Sequence, residues 1–182
     1  GNYTAYARNS DANVGAVNAD SRFRLDIRRT TFAEFEAGYN LTPTRPDDSG
    51  LAGGTDGTRL DQTFSAAAAL THDFGGLSAR VRTELERQLY GDEDLIGGGS
   101  RNNDDLNNWK PSASLRLTYT DAPVLQPFVE AGYARRIHDD DNAASGQSTD
   151  SGDIDLRLGA SFDDGALWSG ELALTYLRRD YK

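Results

Sequence analysis

The stretch Pro111-Ser112-Ala113-Ser114-Leu115-Arg116-Leu117-Thr118-Tyr119-Thr120 decides the fold, together with Phe128-Val129-Glu130-Ala131-Gly132-Tyr133-Ala134-Arg135-Arg136 beyond it. Ala113, Leu115, Leu117 and Tyr119 share one face, and Ser114, Arg116 and Thr118 the other. After Asp121-Ala122-Pro123 the alternation resumes, with Val129, Ala131 and Tyr133 against Glu130, Gly132, Ala134 and Arg136. Successive side chains of a strand point to opposite faces, so a period of two marks extended chain.

The same period runs outward in both directions. Phe23, Leu25 and Ile27 alternate with Arg24, Asp26 and Arg28, and Phe35, Ala37 and Tyr39 with Glu34, Glu36 and Gly38. Leu77, Ala79, Val81 and Leu85 alternate with Arg80, Arg82, Glu84 and Glu86, a segment rich in helix formers whose neighbours and Gly75-Gly76 turn argue for a strand. Towards the end, Ile154, Leu156 and Leu158 oppose Asp155 and Arg157, and Trp168, Leu172, Leu174 and Tyr176 oppose Glu171.

Nine strands are expected, over 2–9, 20–29, 31–42, 59–72, 77–90, 111–120, 126–137, 153–162 and 168–181. Most reach the roughly 9–11 residues that cross a membrane at a tilt. Their connections alternate. Short turns fall near 29–31, 73–76, 121–125 and 163–167, and long polar links near 10–19, 43–58, 91–110 and 138–152. Short turns on one side and long external loops on the other are the asymmetry of an outer-membrane barrel. Gly97-Gly98-Gly99, Asn102-Asn103-Asp104-Asp105 and Asp139-Asp140-Asp141 make the long links read as solvated and mobile. The match of Phe35-Glu36-Ala37-Gly38-Tyr39 to Val129-Glu130-Ala131-Gly132-Tyr133 supports a hairpin repeat.

Composition narrows the function. The chain has 182 residues, no cysteine, two histidines and a net charge of -10, with 37% hydrophobic residues. Disulfides and thiol chemistry are excluded, and the acidity argues against a nucleic-acid binder. No apolar run is long enough for a transmembrane helix, which leaves open a barrel whose strands alternate. The reading is therefore an all-β, antiparallel up-and-down transmembrane β-barrel, a single domain over 1–182. Nine is odd, and single-chain bacterial barrels close with an even number. The chain is accordingly expected to be part of a larger barrel of roughly 12–16 strands.

One face carries both signs of charge deep in the strands. Expected to line a lumen are Arg24, Asp26, Arg28, Glu34, Glu36, Arg80, Arg82, Glu84, Glu86, Arg116, Glu130, Arg136, Asp155, Arg157, Glu171 and Arg179. Tyr39, Tyr119, Tyr133, Trp168 and Tyr176, near strand ends on the apolar face, are expected to form membrane-interface girdles. Interspersed charges with no single-sign ring suit small hydrophilic solutes rather than one ion. The same charges could also pair and fill a closed interior.

No phosphate loop, HExxH or GxSxG motif is present, and His72 and His138 fall at opposite kinds of connection. No catalytic residue, metal site or cofactor is expected. The 139–153 loop lacks the residue order of a calcium loop. Tyr90, Trp109 and Tyr181 read as further girdle residues.

Pro111–Tyr119, Leu125-Gln-Pro-Phe-Val-Glu-Ala-Gly-Tyr-Ala-Arg-Arg136, Asp155-Leu-Arg-Leu-Gly-Ala160 and Gly170-Glu-Leu-Ala-Leu-Thr-Tyr-Leu-Arg-Arg-Asp-Tyr181 together resemble the alphaproteobacterial outer-membrane barrels of the beta-barrel porin 2 type. The resemblance is clearest over 111–182 and weaker over 19–90. It implies the outer membrane of a Gram-negative cell, contact with outer-membrane lipid and lipopolysaccharide, and a chain longer than this one. It supplies no catalytic residues. Some family members resemble barrels of exopolysaccharide loci. The leading expectation is a passive porin-like channel for small hydrophilic solutes. The alternatives are a structural barrel subunit of an envelope assembly, with envelope protein partners, and a conduit for exopolysaccharide export.

Overall fold

The computed structural model describes residues 2–4, 14–44, 55–56, 58–122, 124–141, 148–163, 165 and 167–181. Among these residues twelve strands appear in chain order: β1 (Asn2–Thr4), β2 (Val14–Arg28), β3 (Thr31–Thr44), β4 (Thr55–Asp56), β5 (Arg59–Asp73), β6 (Leu77–Tyr90), β7 (Glu93–Leu95), β8 (Ser100–Arg101), β9 (Asn108–Tyr119), β10 (Leu125–His138), β11 (Ser151–Asp163) and β12 (Ser169–Tyr181). A short 3-10 turn lies at Asp104–Leu106. Nine strands form a single antiparallel sheet in the order β1-β2-β3-β5-β6-β9-β10-β11-β12, and β4, β7 and β8 form a second, three-stranded sheet. In the large sheet each strand pairs with its neighbours along the chain, the pattern of an up-and-down meander. Among the described residues, β1 pairs only with β2 and β12 only with β11. Among the described residues no helix is long and apolar enough to cross a membrane.

The expected strands are present, with shifted ends. Residues 5–9 of the first lie outside the described residues. β2 begins at Val14, so much of the link placed at 10–19 is strand, and β9 begins at Asn108, inside the link placed at 91–110. β6 is a strand despite its Glu, Arg and Leu content. It is hydrogen-bonded along its length to β5 on one side and β9 on the other, and that pairing overrides helix propensity. Its entry turn is built locally. Gly75 adopts φ +95, and its N–H donates to Asp73 Oδ1 at 2.9 Å. A left-handed backbone of this kind favours glycine, and the aspartate completes the turn.

Register joins the apolar positions into continuous rows. Leu25, Ala33, Leu70, Val81, Leu115, Ala131, Leu156 and Tyr176 are successive partners across eight strands. Phe23, Phe35, Leu85, Val129, Leu158, Leu172 and Leu174 lie on the same face, and all are exposed. Ala33, Ala69 and Phe128 are the only apolar side chains buried among the described residues. A soluble β-sheet protein hides its apolar face. Here that face points outward, and the charged face is the more sheltered one. The sheet curls towards its charges: the Arg116 side chain on β9 reaches Glu171 on β12, past two intervening strands. On a flat sheet those strands would lie about 14 Å apart.

Candidate functional site

The charged face is held in two groups of ion pairs. The first spans β2, β3 and β6. Glu36 accepts from Arg22 at 2.6 Å and from Arg82 at 2.7 Å, Glu84 accepts from Arg82 at 3.1 Å, and Glu34 pairs with Arg80. β5 lies between β3 and β6, and it presents Ser65, Ala67, Ala69 and Thr71 to this face. Ala69 sits between Glu34 and Arg82, and Ala67 between Glu36 and Glu84. The small side chains leave room for the long ones to meet across the intervening strand.

The second group spans β9 to β12. Glu171 accepts from Arg116 at 2.7 Å and from Arg157 at 2.9 Å, and Glu130 lies 3.6 Å and 3.5 Å from the same two arginines. Phe128 forms the floor. It is 2% exposed, with the Arg116 guanidinium 3.5 Å from its ring centre and that of Arg157 at 6.0 Å. Such stacking adds cation–π attraction where water is scarce. The Phe128 ring covers Gly159, its partner on β11, where an added Cβ would lie 2.8 Å from ring Cζ. Further along, Asp153 accepts from Arg179 at 2.6 Å and 2.7 Å.

Most residues expected to line a lumen share this face. Arg24 pairs with Asp26 at 2.8 Å and stacks on Phe32 at 3.7 Å. Glu86 accepts from Gln88 at 2.8 Å. Asp155 leans over Gly132, and Arg136 stands opposite Ser151. Arg28 departs from the set. A bulge after Asp26 places it opposite Thr31, in the row of the apolar face that continues to His72. One extra residue in a strand moves every later side chain to the other face. Arg22 and Asp153 belong to the charged face as well, and the alternation that marks Arg24 and Asp155 marks them too. The stacking platforms Phe32 and Phe128 carry the same even-numbered signal.

Of the five girdle candidates, Tyr119 closes β9 at the short-turn end and Trp168 precedes β12 at that end. Tyr39 packs on Phe64 at 4.9 Å towards the long-link end, where Tyr133 lies over Gly152. Tyr176 differs. Its register with Leu156 and Ala131 places it mid-strand, within the apolar rows and away from their margins. His72 shares a 2.6 Å hydrogen bond with Thr31 at the short-turn end, whereas His138 closes β10 at the other. The two histidines are therefore separated. No group of metal-ligating side chains occurs among the described residues.

The link between β6 and β9 is not a free loop. Arg59 Nη1 donates to Glu93 Oε1 at 2.7 Å, and both side chains are buried. Asn103 is fully buried and donates to the Gly91 carbonyl at 2.8 Å, while the Tyr90 N–H donates to Asn107 Oδ1 at 2.7 Å. Gly97, Gly98 and Gly99 form an exposed tip with positive φ. Expectation and structure agree at the tip and part at its base. Asparagine and glutamate here satisfy buried backbone and guanidinium groups instead of meeting water. Residues 45–54 and 142–147 of the other long links lie outside the described residues.

An antiparallel all-β arrangement of the described residues, with its apolar face outward and its charges sheltered and paired, is consistent with a membrane-spanning β-structure. The family described as "Putative beta-barrel porin 2" matches residues 1–182, and the chain belongs to that family. Comparison with curated proteins and with solved structures returns no match.

Proposed function

We propose that the chain is part of a larger closed, even-stranded outer-membrane barrel of a Gram-negative cell, and that the barrel is a passive channel for small hydrophilic solutes. One observation carries the reading: continuous apolar rows cover the outer face while both signs of charge line the sheltered one. Lipid and the acyl region of lipopolysaccharide would cover the first, and water and solutes the second. A strand of 13 residues at a tilt of about 45° spans roughly 30 Å, the thickness of a hydrocarbon core. Paired acidic and basic groups give a wall that polar solutes can cross without strong ionic preference. No catalysis is part of this proposal.

The ion pairs also support a second reading, a structural barrel of an envelope assembly. Side chains that reach across two strands, as Arg116 does to Glu171, take up interior space. Conductance of the full-length protein in planar bilayers separates the two. Stepwise channels establish the pore, and their absence from a correctly inserted protein leaves the structural barrel.

A further inference from the structure

We propose that Arg28, Arg29 and His72 form an outward-facing site for the phosphate of an anionic phospholipid, in the leaflet at the short-turn end. The inference rests on the reading above that the apolar face meets lipid, and it names a headgroup which that face holds.

The site begins with the bulge in β2. Asp26 pairs with Phe32 and Arg28 with Thr31, so Ile27 is the extra residue and Arg28 leaves the charged face. Bulges re-aim side chains in this way. The outward row runs from Arg28 to Thr31 and on to His72. His72 Nδ1 lies 2.6 Å from Thr31 Oγ1, which fixes the ring and leaves Nε2 for a further partner. Two strand spacings put about 10 Å between Arg28 and His72, with Thr31 in the middle. A phosphate seated over Thr31 is within reach of both. Arg29 follows in the turn and is exposed.

The charge at this site is unbalanced. Outward-facing arginines at the long-link end each have a carboxylate: Arg87 has Asp139, Arg135 has Asp150 and Arg178 has Asp180. Arg28 and Arg29 form no ion pair among the described residues. Carboxylates of the same end are engaged elsewhere. Asp26 pairs with Arg24 at 2.8 Å on the charged face, and Asp73 accepts the Gly75 N–H at 2.9 Å within its own turn. The patch is also local. The other short connections carry Asp73, Asp121 and Asp163 and no basic residue, in a chain of net charge -10.

Depth and geometry fit a headgroup. Phe74, Val124 and Trp168 are exposed at the short-turn end, and such residues belong at the boundary between lipid and water. Arg28 and Arg29, at the neighbouring turn, therefore stand at the level of the phosphates. A guanidinium matches phosphate oxygens in pairs. A zwitterionic headgroup brings its own ammonium towards the two arginines, so the site favours a headgroup with net negative charge.

The test reconstitutes the full-length protein in vesicles of equal phosphatidylglycerol and phosphatidylethanolamine, extracts it into mild detergent and reads the retained lipid by native mass spectrometry. Phosphatidylglycerol should be retained over phosphatidylethanolamine by roughly fivefold or more, the factor one basic side chain contributes at an anionic surface. Arg28→Gln with Arg29→Gln should abolish the preference, whereas Arg135→Gln with Arg178→Gln should keep it. An excess of inorganic phosphate should leave the lipid bound, because its acyl chains lie on the apolar rows. Displacement by phosphate would make this a free-anion site and overturn the lipid. A protein that inserts but retains both lipids alike, or loses the preference equally in both variants, overturns the site and leaves the barrel. A protein that does not insert removes the barrel reading, and the site with it.

Discussion

Arg80 on β6 and Arg116 on β9 are direct cross-strand partners, yet they pair in opposite directions: Arg80 with Glu34 towards β3, and Arg116 with Glu130 and Glu171 towards β12. Like charges placed opposite each other are unfavourable. Each arginine here has carboxylates of its own on the far side, and the charged face divides along the β6–β9 boundary.

That division makes the Arg116–Glu171 pair testable by a double-mutant cycle. Both side chains keep part of their surface exposed, at 22% and 31%. Solvent screening then limits their coupling to about 0.2–1 kcal/mol. Urea unfolding from lipid vesicles, followed by tryptophan fluorescence, measures it. A coupling of several kcal/mol would show that the pair is desolvated and that the interior is closed around it.

The small floor of β5 predicts a face-dependent response to size. Ala69→Leu intrudes between Glu34 and Arg82 and should cost about 1–3 kcal/mol. Ala66→Leu, on the exposed apolar face of the same strand, should be neutral within about 0.5 kcal/mol. Equal losses in the same unfolding experiment would contradict the assignment of the two faces.

Two glycines of the charged face should differ. An added Cβ at Gly159 meets the Leu172 carbonyl and the Phe128 ring, neither of which can move freely, so Gly159→Ala should cost about 1–3 kcal/mol. At Gly132 the obstacle is the Asp155 carboxylate, the end of a flexible side chain, so Gly132→Ala should cost less than half as much. Unfolding midpoints rank the two directly.

Neutralising Arg80, Arg82, Arg116 and Arg157 together leaves Glu34, Glu84, Glu130 and Glu171 without their arginine partners and Glu36 with Arg22 alone. Reversal potentials across a salt gradient should then shift towards cation preference. An unchanged potential would mean that these side chains do not line the conducting path.

Asp139, just beyond β10, is held below the ordinary aspartate range by hydrogen bonding to Arg87. A carboxyl whose folded pKa is depressed adds stability above its unfolded value and loses it as pH falls through the folded one. The Asp139 carboxyl carbon should therefore titrate below a normal aspartate by NMR. In Arg87→Ala its midpoint should rise towards the ordinary value.

Much of the architecture was legible because alternation is local. The faces of Leu115, Arg116, Glu130 and Tyr133 follow from their parity alone, and β6 was readable as a strand despite its helix-forming residues. Parity failed at Arg28, where a bulge of one residue reversed the face. At Tyr176 parity held, and what it did not contain was the position along the strand, where register placed the aromatic mid-strand. Bulge and register depend on the partner strand, so a single segment does not contain them. The base of the 91–107 link was hidden for a related reason. Asn103 and Glu93 have the composition of a solvated loop, and only contact with Arg59 and the Gly91 backbone makes them buried.

By itself the sequence determined the period of two, the chemistry of each face and the alternation of short and long connections, since each depends on neighbours along the chain. Only the tertiary structure decided which carboxylate each arginine meets, that β5 is the gap through which Glu34 and Arg80 join, and that Phe128 lies beneath the second group of charges. Those contacts cross strands far apart in sequence, and the curl of the sheet brings them within hydrogen-bonding distance.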